Sequence, residues 1–379
     1  MFERTHTDQI ICRPDRWVTK LRTNMHLSEA LKKRYTAERL SAPQAQRLAE
    51  FIAWGPVIFE VSRLMVKFGI LELLRDSDEG LTSEEVAART RLSDYAVKCL
   101  LEASLSIGTV LVNPDNDRYT LSKTGWFLLN DPATRVNIDF NHDVNYQGWF
   151  HLEESLLEGK PVGLRHFGPW HTIYEGLSSL PPQVQKSWFG FDHFYSDSSF
   201  PEALRIVFDE HKVRTLYDVG GNTGKWALQC DLPQQIELMK ANVKGKKGAE
   251  RVKGYGIDLL DEGQSFPLMA DGPDAIWMSQ FLDCFSMAQI VSILRRAAAA
   301  MTSSTRIYIM ETLWDRQRFE PATLCLTMTS LYFTAMANGN SKMYNTEDME
   351  HCIREAGLEI EQIHDHLGEG HSILVVRKP

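Results

Sequence analysis

The chain has 379 residues, 43% of them apolar and 24% charged, and a net charge of −9. That length exceeds one typical core and predicts two domains, and the acidic balance excludes a constitutive binder of nucleic acid or anionic membrane, because neither surface attracts a net acid. Cys12, Cys99, Cys230, Cys284, Cys325 and Cys352 lie far apart without a C-x-x-C pair, so neither a disulfide framework nor a metal site is expected and a reducing cytoplasm fits.

Residues 1–40 read as an N-terminal extension. They are mildly basic, with Arg4, Arg13, Arg16, Lys20, Arg22, Lys32, Lys33, Arg34 and Arg39. No apolar leader follows Met1 and no uncharged run reaches membrane-spanning length, so neither an export signal nor a membrane span is expected. From Leu48 to Leu74 the apolar spacing predicts one long helix or two abutting ones. Their buried side would hold Phe51, Ile52, Val57, Ile58, Val61, Leu64, Met65, Phe68, Ile70, Leu71 and Leu74, a face too wide for one small neighbour. Thr82-Ser-Glu-Glu85 opens a capped helix, Ser93 to Ile107 gives another, and Asn113-Pro-Asp-Asn116 turns a hairpin between 109–112 and 118–121. Helix, helix, hairpin is a winged-helix outline over residues 41–135.

Such an outline raises the question of DNA, which the charges answer. From Thr82 to Thr124 the acids Glu84, Glu85, Asp94, Glu102, Asp115 and Asp117 outnumber the bases Arg89, Arg91, Lys98, Arg118 and Lys123. A phosphate-binding face would cluster its lysines and arginines. Subunit contact is therefore expected of this domain, and no nucleic-acid partner.

Residues 136–200 read as a helical linker crowded with rings. A helical stretch from Phe140 to Gly159 carries Trp149 and Phe150, and Phe167, Trp170, Tyr174, Trp188, Phe189, Phe191, Phe194 and Tyr195 follow. Flexible linkers are polar, so these rings serve either an interdomain core or the wall of an apolar substrate cleft.

Residues 201–379 alternate short apolar strands with helical segments, the pattern of a Rossmann-like doubly wound α/β sheet. Strands are expected at 215–219, 253–258, 275–279 and 306–311, helices at 287–301 and 346–356, and a terminal strand pair at 358–363 and 371–376. Ligands in such sheets sit at the carboxyl ends of the strands, where Asp218, Asp258, Asp283 and Glu311 fall. Asp218-Val-Gly-Gly-Asn-Thr-Gly224 reads as strand, tight turn and the start of a helix at Lys225. The glycines let a ligand approach the backbone, and helix N–H groups would meet a carboxylate or phosphate. Asn222 rules out the dinucleotide fingerprint, since it occupies the second glycine position. Only six residues, Lys225 to Cys230, precede Asp231-Leu-Pro233, whereas a helix and a returning parallel strand need a dozen or more. Either a helix and strand of about a dozen residues are missing here or a shortcut replaces them.

The turn Asp218, Gly220, Gly221, Gly224 resembles the first motif of the class I S-adenosylmethionine-dependent methyltransferases. Taken with the later motifs in order, the chain from Leu48 onward resembles the plant and bacterial small-molecule O-methyltransferases of the caffeate and hydroxyneurosporene type. That resemblance implies a winged-helix dimerisation domain, a homodimer, and a class I methyltransferase domain that binds S-adenosylmethionine and releases S-adenosylhomocysteine. It makes Asp231 the ribose-binding acid, Asp258 with Leu259 the adenine side, Ser279 and Gln280 further cofactor contacts, and Asp283 and Glu311 the catalytic polar groups. Trp149, Phe150, Phe191, Leu282 and Met343 are expected against an apolar or aromatic acceptor.

The departures bear on mechanism. Leu282 stands where the family has the histidine that takes the substrate proton, Met278 where it has a lysine, and Met343 near its second glutamate. A base is therefore absent or nonstandard, with His142, His151, His166, His171 and His193 as other sources. The expected reaction is methyl transfer to a hydroxyl or carboxyl of a small molecule. The alternative is a protein of the same fold that uses the cofactor without methylating, for hydroxylation, decarboxylation or regulation.

Overall fold

The computed structural model describes residues 29–210, 212–221, 228–231, 240, 244–245 and 249–379. Most of the basic N-terminal extension and Gly224 lie outside them, as does the side chain of Asp231. After the short helix α1 (Glu29–Tyr35), three helices rather than two span the first apolar stretch: α2 (Ala42–Ala53), α3 (Gly55–Lys67) and α4 (Ile70–Arg75). The breaks have local causes. Pro56 suits the first turn of a helix and not an interior, and Gly69 takes the left-handed conformation, φ 75°, that ends α3.

Two capped helices follow, α5 (Ser83–Arg89) and α6 (Asp94–Ile107), then the hairpin β1 (Val110–Val112) and β2 (Tyr119–Leu121). The Thr82 hydroxyl accepts from the Glu85 N–H, and the Glu85 carboxylate accepts in turn from the Thr82 N–H. Arg118 on the hairpin side donates to both Glu85 and the Gly80 carbonyl, tying wing to helix. Met65, Leu71, Val97 and Leu101 form the core of this unit. Ile52, Val57 and Phe68, expected inside, are exposed, and α2 buries no residue at all. Their apolar face is uncovered among the described residues.

Helices α7 (Lys123–Asn130) and α8 (Pro132–Phe140) lead into the ring-rich region. The stretch expected as one helix from Phe140 to Gly159 is instead a π-turn (Asn141–Asn145), a 3₁₀ turn (Gly148–His151) and α9 (Leu152–Glu158). Then come α10 (Ile173–Gly176), the long α11 (Pro182–Asp197) and α12 (Phe200–Arg205).

The sheet has the order β5-β4-β3-β6-β7-β9-β8, formed by β3 (Leu216–Val219), β4 (Leu228–Asp231), β5 (Gly254–Gly256), β6 (Ala275–Ser279), β7 (Arg306–Glu311), β8 (Glu359–Leu367) and β9 (His371–Arg377). β3 to β7 run parallel and β9 enters antiparallel. Helices α13 (Met287–Ala300) and α15 (Thr346–Glu355) pack on the apolar core of Ile276, Ile293, Ile309 and Ile353. A capping box opens α13, with Ser286 and Gln289 exchanging hydrogen bonds. β4 pairs directly with β3, Tyr217 opposite Leu228, and residues 222–227 between the two strands, where the anomaly of length falls, lie outside the described residues. Leu228, expected in a helix, is a strand residue. No helix among the described residues is long and apolar enough to cross a membrane.

Candidate functional site

The carboxyl ends of β3, β5 and β6 open into a cavity of about 760 Å³, closed on its other side by α11 and by α14 (Glu320–Tyr332). Asp218, Gly220, Gly221, Asp258, Leu259, Ser279 and Gln280 all line it. At Gly220 φ is 72°, and a Cβ there would run into the Phe281 ring; a Cβ at Gly221 would meet the Asp218 carboxylate. The turn is thus a cradle that only glycine leaves open. Gln280 sits in the left-handed region, φ 43°, held there while its N–H donates to the Met310 carbonyl. Strain of this kind in a non-glycine residue collects at ligand sites, and the buried Gln280 Oε1 has no hydrogen-bond partner among the described residues. Asp258 keeps its loop in shape by accepting from the Leu260 N–H at 2.9 Å.

Beyond these residues the cavity continues, without interruption, into a chamber walled by rings. Phe191, as expected, and Met343 line it, and with them Phe140, Tyr174, Trp188, Tyr332 and Phe333. Phe140 and Phe191 stack at 4.0 Å between centroids, and the Trp188 ring N–H donates to the Tyr332 hydroxyl at 2.8 Å. Trp149 and Phe150 do not line it. Trp149 packs beside the Val144 and Met336 cluster, and Phe150 is 82% exposed. The π and 3₁₀ turns break the α-helical period that had aimed both inward. Leu282 also lies outside the lining: it is fully buried in the sheet core, because the 3₁₀ turn Leu282–Cys284 rotates it away from the cavity.

Asp283 and Glu311 divide their tasks. Asp283 faces the cavity. Burial pushes its carboxyl up to about 7, and the charge of Asp192 adds to the rise. Glu311 is buried and does not line the cavity; its Oε1 accepts from the N–H groups of Phe281 and Leu282 at 3.0 and 2.8 Å. It therefore holds the loop that presents Asp283. Burial, then the charge of Asp283, raise the Glu311 carboxyl well above its ordinary range. Its Oε2 lacks a hydrogen-bond partner among the described residues, on the loop where Leu282 stands. A hydrogen-bonded chain reaches Asp283 from the ring chamber: the Tyr174 hydroxyl donates to Cys284 Sγ at 3.0 Å, and the Cys284 thiol donates to Asp283 at 3.4 Å. Of the five histidines only His193 lines the cavity, and it lies beside Asp197 at 3.6 Å.

Asp192 and Cys284 were not assigned to a site from the sequence, and Tyr174 was named only as one of the linker rings. Asp192 had a readable signal: with Trp188, Phe191 and Tyr195 it recurs at helical spacing on one face of α11.

The family described as Dimerisation2-like domain matches residues 46–119. Mitomycin biosynthesis 6-O-methyltransferase of Streptomyces lavendulae is 22% identical over 339 residues, spanning 86% of this chain and 92% of that protein. Acetylserotonin O-methyltransferase of Homo sapiens is 21% identical over 310 residues, 77% of this chain and 86% of that one. Among solved structures, the apo form of the S-adenosylmethionine-dependent methyltransferase SibL superposes with a TM-score of 0.64 at 23% identity, covering 87% of this chain and 98% of that one.

Proposed function

We infer that this chain, a member of the small-molecule S-adenosylmethionine-dependent O-methyltransferase family, methylates a hydroxyl of an apolar aromatic acceptor. The observation that carries the reading is the single cavity that joins the glycine cradle of β3 to the ring chamber under α11. S-adenosylmethionine supplies a methyl group on a sulfonium, already a good leaving group. The donor set suits that cofactor: Gly220 and Gly221 admit its amino-acid end against the backbone, Asp258 and Leu259 stand on the adenine side, and the Gln280 carboxamide oxygen awaits a donor. Gly224 and Asp231 keep their proposed cofactor roles, although Gly224 and the side chain of Asp231 lie outside the described residues.

In this reading the protein's work is alignment. Stacked rings hold the acceptor flat, and in-line placement supplies most of the rate. Asp283 takes the hydroxyl proton in place of the family histidine. Its carboxyl, raised to about 7, is ionised in a fair fraction of molecules at neutral pH and basic enough to accept. Glu311 positions it through the loop backbone. Hydroxylation, decarboxylation or regulatory use of the cofactor is not favoured, since the relatives carry methyltransferase names. Incubation with methyl-labelled S-adenosylmethionine and a panel of hydroxylated aromatics tests the reading. Label in an extractable ether supports it; cofactor binding with no transfer to any hydroxyl sinks it.

The N-terminal helices serve a homodimer. Ile52, Trp54 and Val57 are 73%, 61% and 51% exposed, and Trp54 and Val57 line a groove closed by α6; apolar patches of this kind mark association surfaces. Replacing Ile52 and Val57 together by arginine should yield a folded monomer by light scattering. An unchanged dimer would remove this face from the interface.

A further inference from the structure

The polar groups of the ring chamber are mostly used within the protein. Trp188 donates to the Tyr332 hydroxyl, the Tyr174 hydroxyl to Cys284, and the Tyr195 hydroxyl to Asn137 at 3.0 Å. An acceptor meets ring faces and the carboxylates of Asp192 and Asp283, with Glu175, Asp197 and His193 also on the lining. Ring faces carry the negative end of the aromatic quadrupole. No lysine or arginine lines the cavity among the described residues. Asp192 projects from α11 into this space and has no hydrogen bond among the described residues. Removal from water pushes its carboxyl up to about 6, with the charge of His193 opposing the rise and that of Asp197 adding to it. Asp197, Asp283 and His193 are the titratable groups near it.

We propose that Asp192 selects the acceptor by charge: the chamber takes an aromatic hydroxyl compound that also carries a basic nitrogen, whose protonated form pairs with Asp192 while the rings enclose its plane. This rests on the methyltransferase reading and names its substrate class. An ammonium next to Asp192 would restore the carboxylate to its ionised form and meet the ring faces favourably. A carboxylate-bearing acceptor would add a negative charge beside Asp192 and Asp283, where no lysine or arginine among the described residues lines the cavity to receive it.

Three catechols with one ring and different side-chain charge make the test: dopamine, 4-methylcatechol and 3,4-dihydroxyphenylacetate. Their binding is measured by calorimetry on the full chain saturated with S-adenosylhomocysteine. Dopamine should bind best, and the anion at least tenfold more weakly than dopamine. In Asp192→Asn the two should come within about threefold of each other, with S-adenosylhomocysteine affinity unchanged. Asp192→Glu should keep the preference. An anion that binds as well as dopamine overturns the proposal, as does a preference that survives Asp192→Asn. So does failure of all three to bind a protein that holds S-adenosylhomocysteine. Should the asparagine variant not fold, the order of the three in the unaltered protein decides. Failure to bind S-adenosylhomocysteine at all would sink the methyltransferase reading instead, so the two failures are distinguishable.

Discussion

Gly221→Arg is expected to abolish S-adenosylmethionine binding while the chain stays folded. A Cβ at this position already meets the Asp218 carboxylate, and the longer side chain has only the cavity to enter. The cradle next to Gly220 would then be filled by the protein itself. Affinity should fall at least a hundredfold, about 2.7 kcal/mol, in a calorimetric titration, with the circular dichroism spectrum and oligomeric state unchanged. Binding within threefold of the unaltered protein would remove the turn from the cofactor site.

Asp283→Asn should lower kcat by roughly a hundred- to ten-thousandfold, the usual worth of a general base, with little change in cofactor affinity. The amide keeps the shape of the carboxylate and cannot take a proton. The pH profile is the sharper readout. Because burial raises the Asp283 carboxyl to about 7, the proton-accepting form is lost as pH falls below that value, so kcat in the unaltered protein should climb through neutrality and level off above it. Asp283→Asn should lack this limb. A variant within threefold of the original, or a flat profile in the original, would assign the proton to another group.

The sheet was legible where apolar runs are short and bounded. β6 and β7 fall where the sequence places them, and the α13 capping box explains why its start was readable. That Asp218, Gly220, Gly221 and Asp258 would line one cavity was legible for a related reason: a glycine turn and acids at strand ends are fixed by backbone geometry. The acceptor side was not. Trp149 and Phe150 were placed on a helical stretch whose α-helical period the π and 3₁₀ turns break, and Leu282 was placed by the position of the family histidine, though a 3₁₀ turn points it and Asp283 in different directions. Asp192 escaped notice because α11 was weighed for its rings alone. The short spacing after Gly224 was visible as an anomaly of length, whereas the direct pairing of β4 with β3 is a matter of strand register that local sequence does not encode.

The raised carboxyl of Asp283 also has a thermodynamic side. An unfolded chain would release this proton near its ordinary 3.8, whereas the folded one holds it to about 7. One such unit corresponds to 1.36 kcal/mol, so at neutral pH the folded state gives up on the order of 4 kcal/mol to keep this acid buried. The loss is absent below pH 4, grows as pH rises toward 7, and is complete above it. Asp283→Asn should therefore melt above the unaltered protein at pH 7.5, with the gap closing as pH falls toward 5. A gap that stays constant with pH would detach the effect from this proton. The enzyme reading thus implies a fold that would be more durable without its base.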